Sequence, residues 1–122
     1  MTTYLINHLR IPDGVPNTGA LTYLENVEAT FLPYGGKWLV LDAPVHPMEG
    51  NWPGSVVLME FPDMATALKW YNSPEYQKIL HLRTGNAISD LILVDQVSPD
   101  FTSAAWAEQI RGVIAAGSDA AS

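Results

Sequence analysis

The sequence predicts an α+β domain, a four-stranded antiparallel sheet carrying two helices on one face. Four apolar segments with strand character stand at Tyr4–Arg10, Lys37–Leu41, Ser55–Phe61 and Asp90–Val97. Two segments with helical spacing and capping residues lie between them, one after the first strand and one after the third. The order is therefore strand, helix, strand, strand, helix, strand, which folds most simply as a ferredoxin-like βαββαβ unit.

In the first strand the phases Tyr4, Ile6, His8, Arg10 and Leu5, Asn7, Leu9 are both partly apolar, which suits a strand covered on both sides. Ile11-Pro12-Asp13-Gly14 ends it with turn chemistry, and Pro16-Asn17 extends the loop. Thr18 is placed to cap a helix reaching about Leu32, with Leu21, Leu24, Val27, Phe31 and Tyr34 as the stripe that packs on the sheet. Pro33 stops this helix, and Gly35-Gly36 permit the positive φ of a tight exit.

The second strand, Lys37–Leu41, has its outer limit at Val45, since Pro44 and Pro47 cannot donate to a ladder. Residues 48–54 form a loop, and Ser55–Phe61 is apolar on both phases apart from Glu60. Asp63 caps a helix over Ala65–Tyr71; Ser73 caps a restart at Pro74 that runs to about Asn86. After the fourth strand, Ser98-Pro99-Asp100 is a hinge into a further helix near Ser103–Ala115, striped by Trp106, Ile110, Val113 and Ile114. An isolated helix of ~13 residues is marginal in water, so this one should dock on its own domain or on a partner's. Gly117–Ser122 is expected to fray. The chain thus divides into a domain over residues 1–97 and a C-terminal extension over 98–122.

Composition bounds the function. At 122 residues and 48% apolar the chain is one folded domain. A domain this size buries only about two thirds of its unfolded surface, and the helices cover one sheet face only, so a second copy on the other face is the economical partner. A net charge of −7 argues against nucleic acid and anionic membrane surfaces as partners. The absence of cysteine removes disulfides, thiolate chemistry and cysteine metal sites. No apolar run approaches the ~18 residues of a membrane span, and the N-terminus lacks a signal-peptide pattern, so a cytoplasmic protein is expected.

Few residues point to chemistry. His8, His46 and His81 lack metal-ligand spacing, no metal or cofactor is expected, and neither phosphate-binding glycine motifs nor a serine nucleophile elbow occur. His8, in mid-strand, offers an imidazole ring suited to general acid or base work. Glu60 offers a carboxylate at a strand end. Arg83 can hold a carboxylate or enolate bidentately, or pair with Glu60 or Asp90. Glu49 and Trp52 share a loop that could rim a pocket. Tyr34, Trp70, Tyr71 and Tyr76 are aromatic groups of the helical layer, most of them expected in the core and a subset suited to an apolar pocket between helices and sheet.

Taken in order, Tyr34-Gly35-Gly36, Glu49-Gly50 with Trp52, Glu60-Phe61-Pro62, Ala67, Trp70-Tyr71, Ser73-Pro74-Glu75-Tyr76, Arg83 and the strand DLILVDQV resemble the DUF1330 family, over about Tyr4 to Val97. The resemblance implies a ferredoxin-like subunit of the dimeric α/β-barrel superfamily, paired sheet to sheet with a second copy. It implies no single reaction. The wider superfamily includes cofactor-free monooxygenases, polyketide cyclases, muconolactone-type isomerases, haem-handling enzymes and dehydratases, with the reactive pocket generally between the sheet and helices of one subunit. His8, Tyr34, Glu49, Trp52, Glu60, Tyr71 and Arg83 are the positions expected to reach such a pocket. Two departures from the family are the C-terminal helix and His46-Pro47, which adds a titratable group beside the Glu49 loop.

The expectation is a homodimeric, cofactor-independent enzyme that moves a proton on a small, partly apolar organic molecule, by isomerase, cyclase, lyase or dehydratase chemistry. His8 would be the acid or base, Glu60 and Glu49 the alternative carboxylates, and Arg83 the anchor of an anionic oxygen. Tyr34, Trp52, Trp70, Tyr71 and His46 would bind substrate. The alternatives are a non-catalytic ligand-binding or interaction protein and a cofactor-free monooxygenase.

Overall fold

The computed structural model describes the backbone of residues 1–121 and the side chains of residues 1–117. Its hub is β1 (Thr3–Arg10), which pairs antiparallel with β3 (Ser55–Phe61) on one side and β4 (Ile88–Asp95) on the other. β2 (Lys37–Val40) joins the far edge of β3, giving the order β2-β3-β1-β4. That is the ferredoxin-like arrangement. α1 (Thr18–Phe31), α2 (Met64–Tyr71) and α3 (Pro74–Thr84) cover one face of this sheet.

The register decides which side chains meet the helices. Leu5 stands between Met59 and Leu93, and Asn7 between Val57 and Leu91. Leu5, Val57, Met59 and Phe61 meet Val27, Phe31, Ala67, Trp70 and Tyr76 in the core. Trp70 is the keystone: it stacks on Phe61 at 5.1 Å between ring centroids, and its Nε1–H donates to the Thr30 hydroxyl at 3.0 Å. The turn between α2 and α3 is closed by Ser73, whose hydroxyl donates to the Trp70 carbonyl and accepts from the Tyr76 N–H. Asp63 accepts from the Thr66 N–H and caps α2.

The local chemistry shifts several boundaries. Asn17, not Thr18, caps α1, because its side chain accepts from the Ala20 N–H. Leu21 faces solvent, and Ala20, Val27 and Phe31 supply the buried side of the helix. β2 ends at Val40, after an irregularity between Trp38 and Val40 and just before Asp42 takes a positive φ of 59°. β4 starts and ends two residues earlier than its apolar run suggests, since its partners on β1 run from Arg10, opposite Ile88, to Thr3, opposite Asp95.

The opposite sheet face carries Ile6, Leu58 and Ile92 in one cross-strand row, with Tyr4, Glu60 and Val94 beside it. No helix of the chain described above covers it, and Ile92 is 55% exposed. α4 spans Ser103–Ala121, and Ser122 lies outside the described residues. Trp106, Ile110, Val113 and Ile114 all remain exposed, so α4 does not bury its stripe on its own domain. Among the described residues no helix is long and apolar enough to cross a membrane.

Candidate functional site

A cavity of about 720 Å³ lies between the sheet and the helices. Its walls are mainly apolar: Leu5 and Leu9 of β1, Val57 and Met59 of β3, Leu91 of β4, Leu24 of α1, with the indoles of Trp38 and Trp70. Volumes of 300–1,000 Å³ are typical of sites for small organic ligands, roughly the scale seen here.

Six polar residues line this wall: Asn7, Tyr23, Asp42, Ser55, Tyr76 and Arg83. The hydroxyls of Tyr23 on α1 and Tyr76 on α3 are hydrogen-bonded at 2.9 Å, and Arg83 Nε donates to the Tyr76 hydroxyl at 3.3 Å. Tyr76 and Arg83 are two helical turns apart and share a face of α3. Burial, reinforced by Tyr76, pushes the Tyr23 phenol well above its ordinary range, so it stays protonated and serves as donor and acceptor rather than as a base. Burial pulls Arg83 down, but the Tyr76 and Tyr23 hydroxyls outweigh it, and the guanidinium stays charged.

Arg83 is only 8% exposed, yet the ion pairs among the described residues are Arg10–Asp90, Lys37–Glu60 and Arg111–Glu108. The expected pairing of Arg83 with Glu60 or Asp90 does not occur. Asn7, 3% exposed, donates from Nδ2 to the Ser89 hydroxyl at 3.3 Å while its Oδ1 has no partner. Asp42, exposed at the end of β2, brings a carboxylate to the cavity mouth in a left-handed backbone conformation.

Of the nine residues singled out from the sequence, Arg83 and Trp70 line the cavity. His8 does not, because side chains alternate along a strand and its neighbour Asn7 takes the inward phase. His8 stacks on Trp52 at 4.3 Å, its Nε2–H donates to the Pro53 carbonyl, and its Nδ1 accepts from Arg10. Both ring nitrogens are thus occupied on the outer face. Glu60 shares that face and pairs with Lys37 at 2.8 Å. His46 and Glu49 stand exposed in the long loop after β2, away from the cavity wall. Tyr34 packs at the edge of the core, and Tyr71 packs against Trp70 and Tyr76. Neither lines the cavity.

The sequence reading missed Asn7, Tyr23, Trp38 and Asp42 as site residues, while Tyr76, one of the aromatic groups it named for a pocket, does line the cavity. Asn7 did carry a signal, an amide between two leucines on one strand phase. Among the described residues no cluster of three or more histidine or carboxylate side chains could hold a metal ion.

The sheet order, with the helices on one face and the cavity between the two layers, defines a ferredoxin-like α+β fold. The model of one family, described as Domain of unknown function (DUF1330), matches residues 2–97, and the chain belongs to that family. α4 falls outside the match. No curated protein matches the chain. RPA0582, a protein of unknown function from Rhodopseudomonas palustris, is similar in structure, with 23% identity and a TM-score of 0.56 over 80% of this chain and 84% of that one. Its methylated form gives 24% identity and 0.53 over 82% and 84%. SnoaB, a cofactor-independent oxygenase from Streptomyces nogalater, gives 10% identity and 0.52 over 81% and 97%. At these identities the likeness establishes the fold.

Proposed function

We propose that this protein is a homodimeric, cofactor-independent enzyme that moves a proton on a small, partly apolar organic molecule bound in the cavity. The observation that carries this reading is the Tyr23–Tyr76–Arg83 cluster set in an otherwise apolar wall. Donors fixed in a water-poor site stabilise a developing oxyanion without reorganising. A carbonyl oxygen placed against them becomes an enolate when Asp42, the carboxylate at the mouth, takes the α-proton. The C–H electron pair becomes the new C=C bond as the carbonyl π pair moves onto oxygen, and the proton returns from Asp42 either to the same carbon or to another. A structural neighbour that works without a cofactor, SnoaB, is consistent with such a pocket.

The test is deuterium wash-in on acetophenone in D2O, followed by loss of the methyl proton signal. The chain should accelerate exchange over buffer, and Asp42→Asn should abolish the acceleration without altering the far-UV circular dichroism. No acceleration over a panel of aryl ketones would sink the enzymatic reading. Non-catalytic binding of a small ligand is the second reading. The outward placement of His8 and Glu60, which leaves Asp42 as the only carboxylate on the cavity wall among the described residues, favours it.

The homodimer rests on two apolar surfaces that one chain leaves open, the outer sheet face and the stripe of α4. A second copy covers both by two-fold symmetry. Light scattering at micromolar concentration should give about twice 13.3 kDa, and a mass near 13.3 kDa would refute it.

A further inference from the structure

We infer that the molecule taken up by the cavity is an organic monoanion: a flat, largely apolar body carrying one carboxylate or enolate oxygen for Arg83 and one hydroxyl or N–H for Asn7. This rests on the cavity being a ligand site, as proposed above, and names the class of ligand.

Two independent observations carry it. The first is Arg83, a cation 8% exposed with no carboxylate among its hydrogen-bond or ion-pair partners. Its bonding to Tyr76 uses one of five N–H donors, and guanidinium geometry matches two oxygens of a carboxylate at once. The chain has other acidic groups to offer it, but Glu60 and Asp90 are committed to Lys37 and Arg10 on the outer face. The missing negative charge is therefore expected to arrive with the ligand. The second observation is Asn7 Oδ1, a buried acceptor without a donor. The Ser89 hydroxyl holds the other end of the amide at 3.3 Å. A buried polar atom without a partner is uncommon in folded proteins, and a ligand hydroxyl or N–H would satisfy it.

The remaining wall sets the body of the ligand. Trp38 and Trp70 present indole surface, and Leu5, Leu24, Met59 and Leu91 supply aliphatic contact. A bicyclic aromatic acid suits this chemistry; a sugar, a nucleotide or a dianionic phosphate ester does not, since Arg83 is the one Lys or Arg on the wall among the described residues.

Isothermal titration calorimetry on the full chain with 2-naphthoate, 2-naphthamide and 6-hydroxy-2-naphthoate tests the inference. 2-Naphthoate should bind at least tenfold tighter than the neutral amide. Arg83→Met, and separately Arg83→Gln, should level the two. The hydroxy acid should bind several-fold tighter than 2-naphthoate, and Asn7→Leu should cancel that gain alone. Equal affinity for acid and amide in the unaltered chain, or a preference for the acid that survives Arg83→Gln, overturns the inference, as does binding of none of the three. Preference for the acid without deuterium wash-in on the ketones leaves this inference standing and removes the catalytic reading. Wash-in without charge preference does the reverse.

Discussion

Replacing Arg83 by methionine should make the empty protein more stable and the site useless. Arg83 is 8% exposed as a residue, and its guanidinium lacks a carboxylate partner. Keeping such an ion out of water costs several kcal/mol even after the protein relaxes. Its bond to the Tyr76 hydroxyl, long at 3.3 Å, returns about 1.5 kcal/mol, the low end for a charged donor. One side of the group borders the cavity instead of packed protein, so water there reduces the penalty. The net gain on substitution is about 1–2 kcal/mol. Methionine is unbranched and fills the space of the stem, and the Tyr23–Tyr76 hydrogen bond survives without the cation. For a domain of this length that gain corresponds to roughly 3–10 °C in Tm. The assay is thermal and urea unfolding at pH 7 without ligand, at one fixed protein concentration because dimerisation couples to stability. A loss of about 1 kcal/mol or more with unchanged m would refute the reasoning, because it would make Arg83 a structural tie for Tyr76. A gain in stability alongside lost binding is the pattern of a group kept for function.

The other predictions follow from particular contacts. A chain ended at Val97 should fold with its sheet and helices intact but associate at least tenfold more weakly by sedimentation equilibrium, since it lacks the exposed apolar stripe of Trp106, Ile110, Val113 and Ile114; an unchanged dimer constant would show that α4 covers nothing. Gly54→Ala should destabilise by about 2–4 kcal/mol in urea unfolding, because Gly54 has a φ of 97° and a Cβ would fall against the Leu9 carbonyl oxygen; a loss below about 0.5 kcal/mol would rule out that clash. The Asp63 carboxyl is held below the usual carboxylate range by its bonds to Thr66. Its cap is therefore fully effective above the unfolded carboxylate pKa of ~3.9 and is lost as pH falls through the lower folded value. Unfolding curves from pH 6 to pH 3 should show the unaltered chain losing stability faster than Asp63→Asn, and parallel decline would refute the linkage.

Where local chemistry decides structure, the sequence was legible. β3 begins and ends as read because Gly54 and Pro62 bracket it, and the caps Asp63 and Ser73 each accept the backbone N–H that their positions imply. The candidate site was not, because its membership depends on which phase of β1 faces the helices. Both phases are apolar enough to be buried, so hydropathy alone leaves a tie, and His8 drew notice for its chemistry. The tie could have been broken through β3. There the phase Val57, Met59, Phe61 is wholly apolar while Val56, Leu58, Glu60 carries a charge, so Glu60 belongs outward. The antiparallel register sets Tyr4 opposite Glu60, and His8 lies four residues on, on the same face. Asn7 must then point inward.

The distribution of charge between the two faces bears on function more than any single residue does. On the outer face the charges come in pairs, Lys37 with Glu60 and Arg10 with Asp90, flanking the apolar Ile6, Leu58 and Ile92. Neutralised charges around an apolar centre are how an interface rim is built. On the inner face a cation and an amide oxygen are left without a matching partner in a mainly apolar wall, where each raises the free energy of the empty fold. Four of the six Lys and Arg residues are not so placed: Arg10, Lys37 and Arg111 are paired, and Lys69 lies in the last turn of α2, where a cation meets the helix dipole favourably. A chain able to neutralise its charges elsewhere, yet leaving Arg83 bare beside a cavity, has its complement outside itself. Under the two proposals above, the faces differ by partner: a second copy for the paired one, a small anion for the unpaired one.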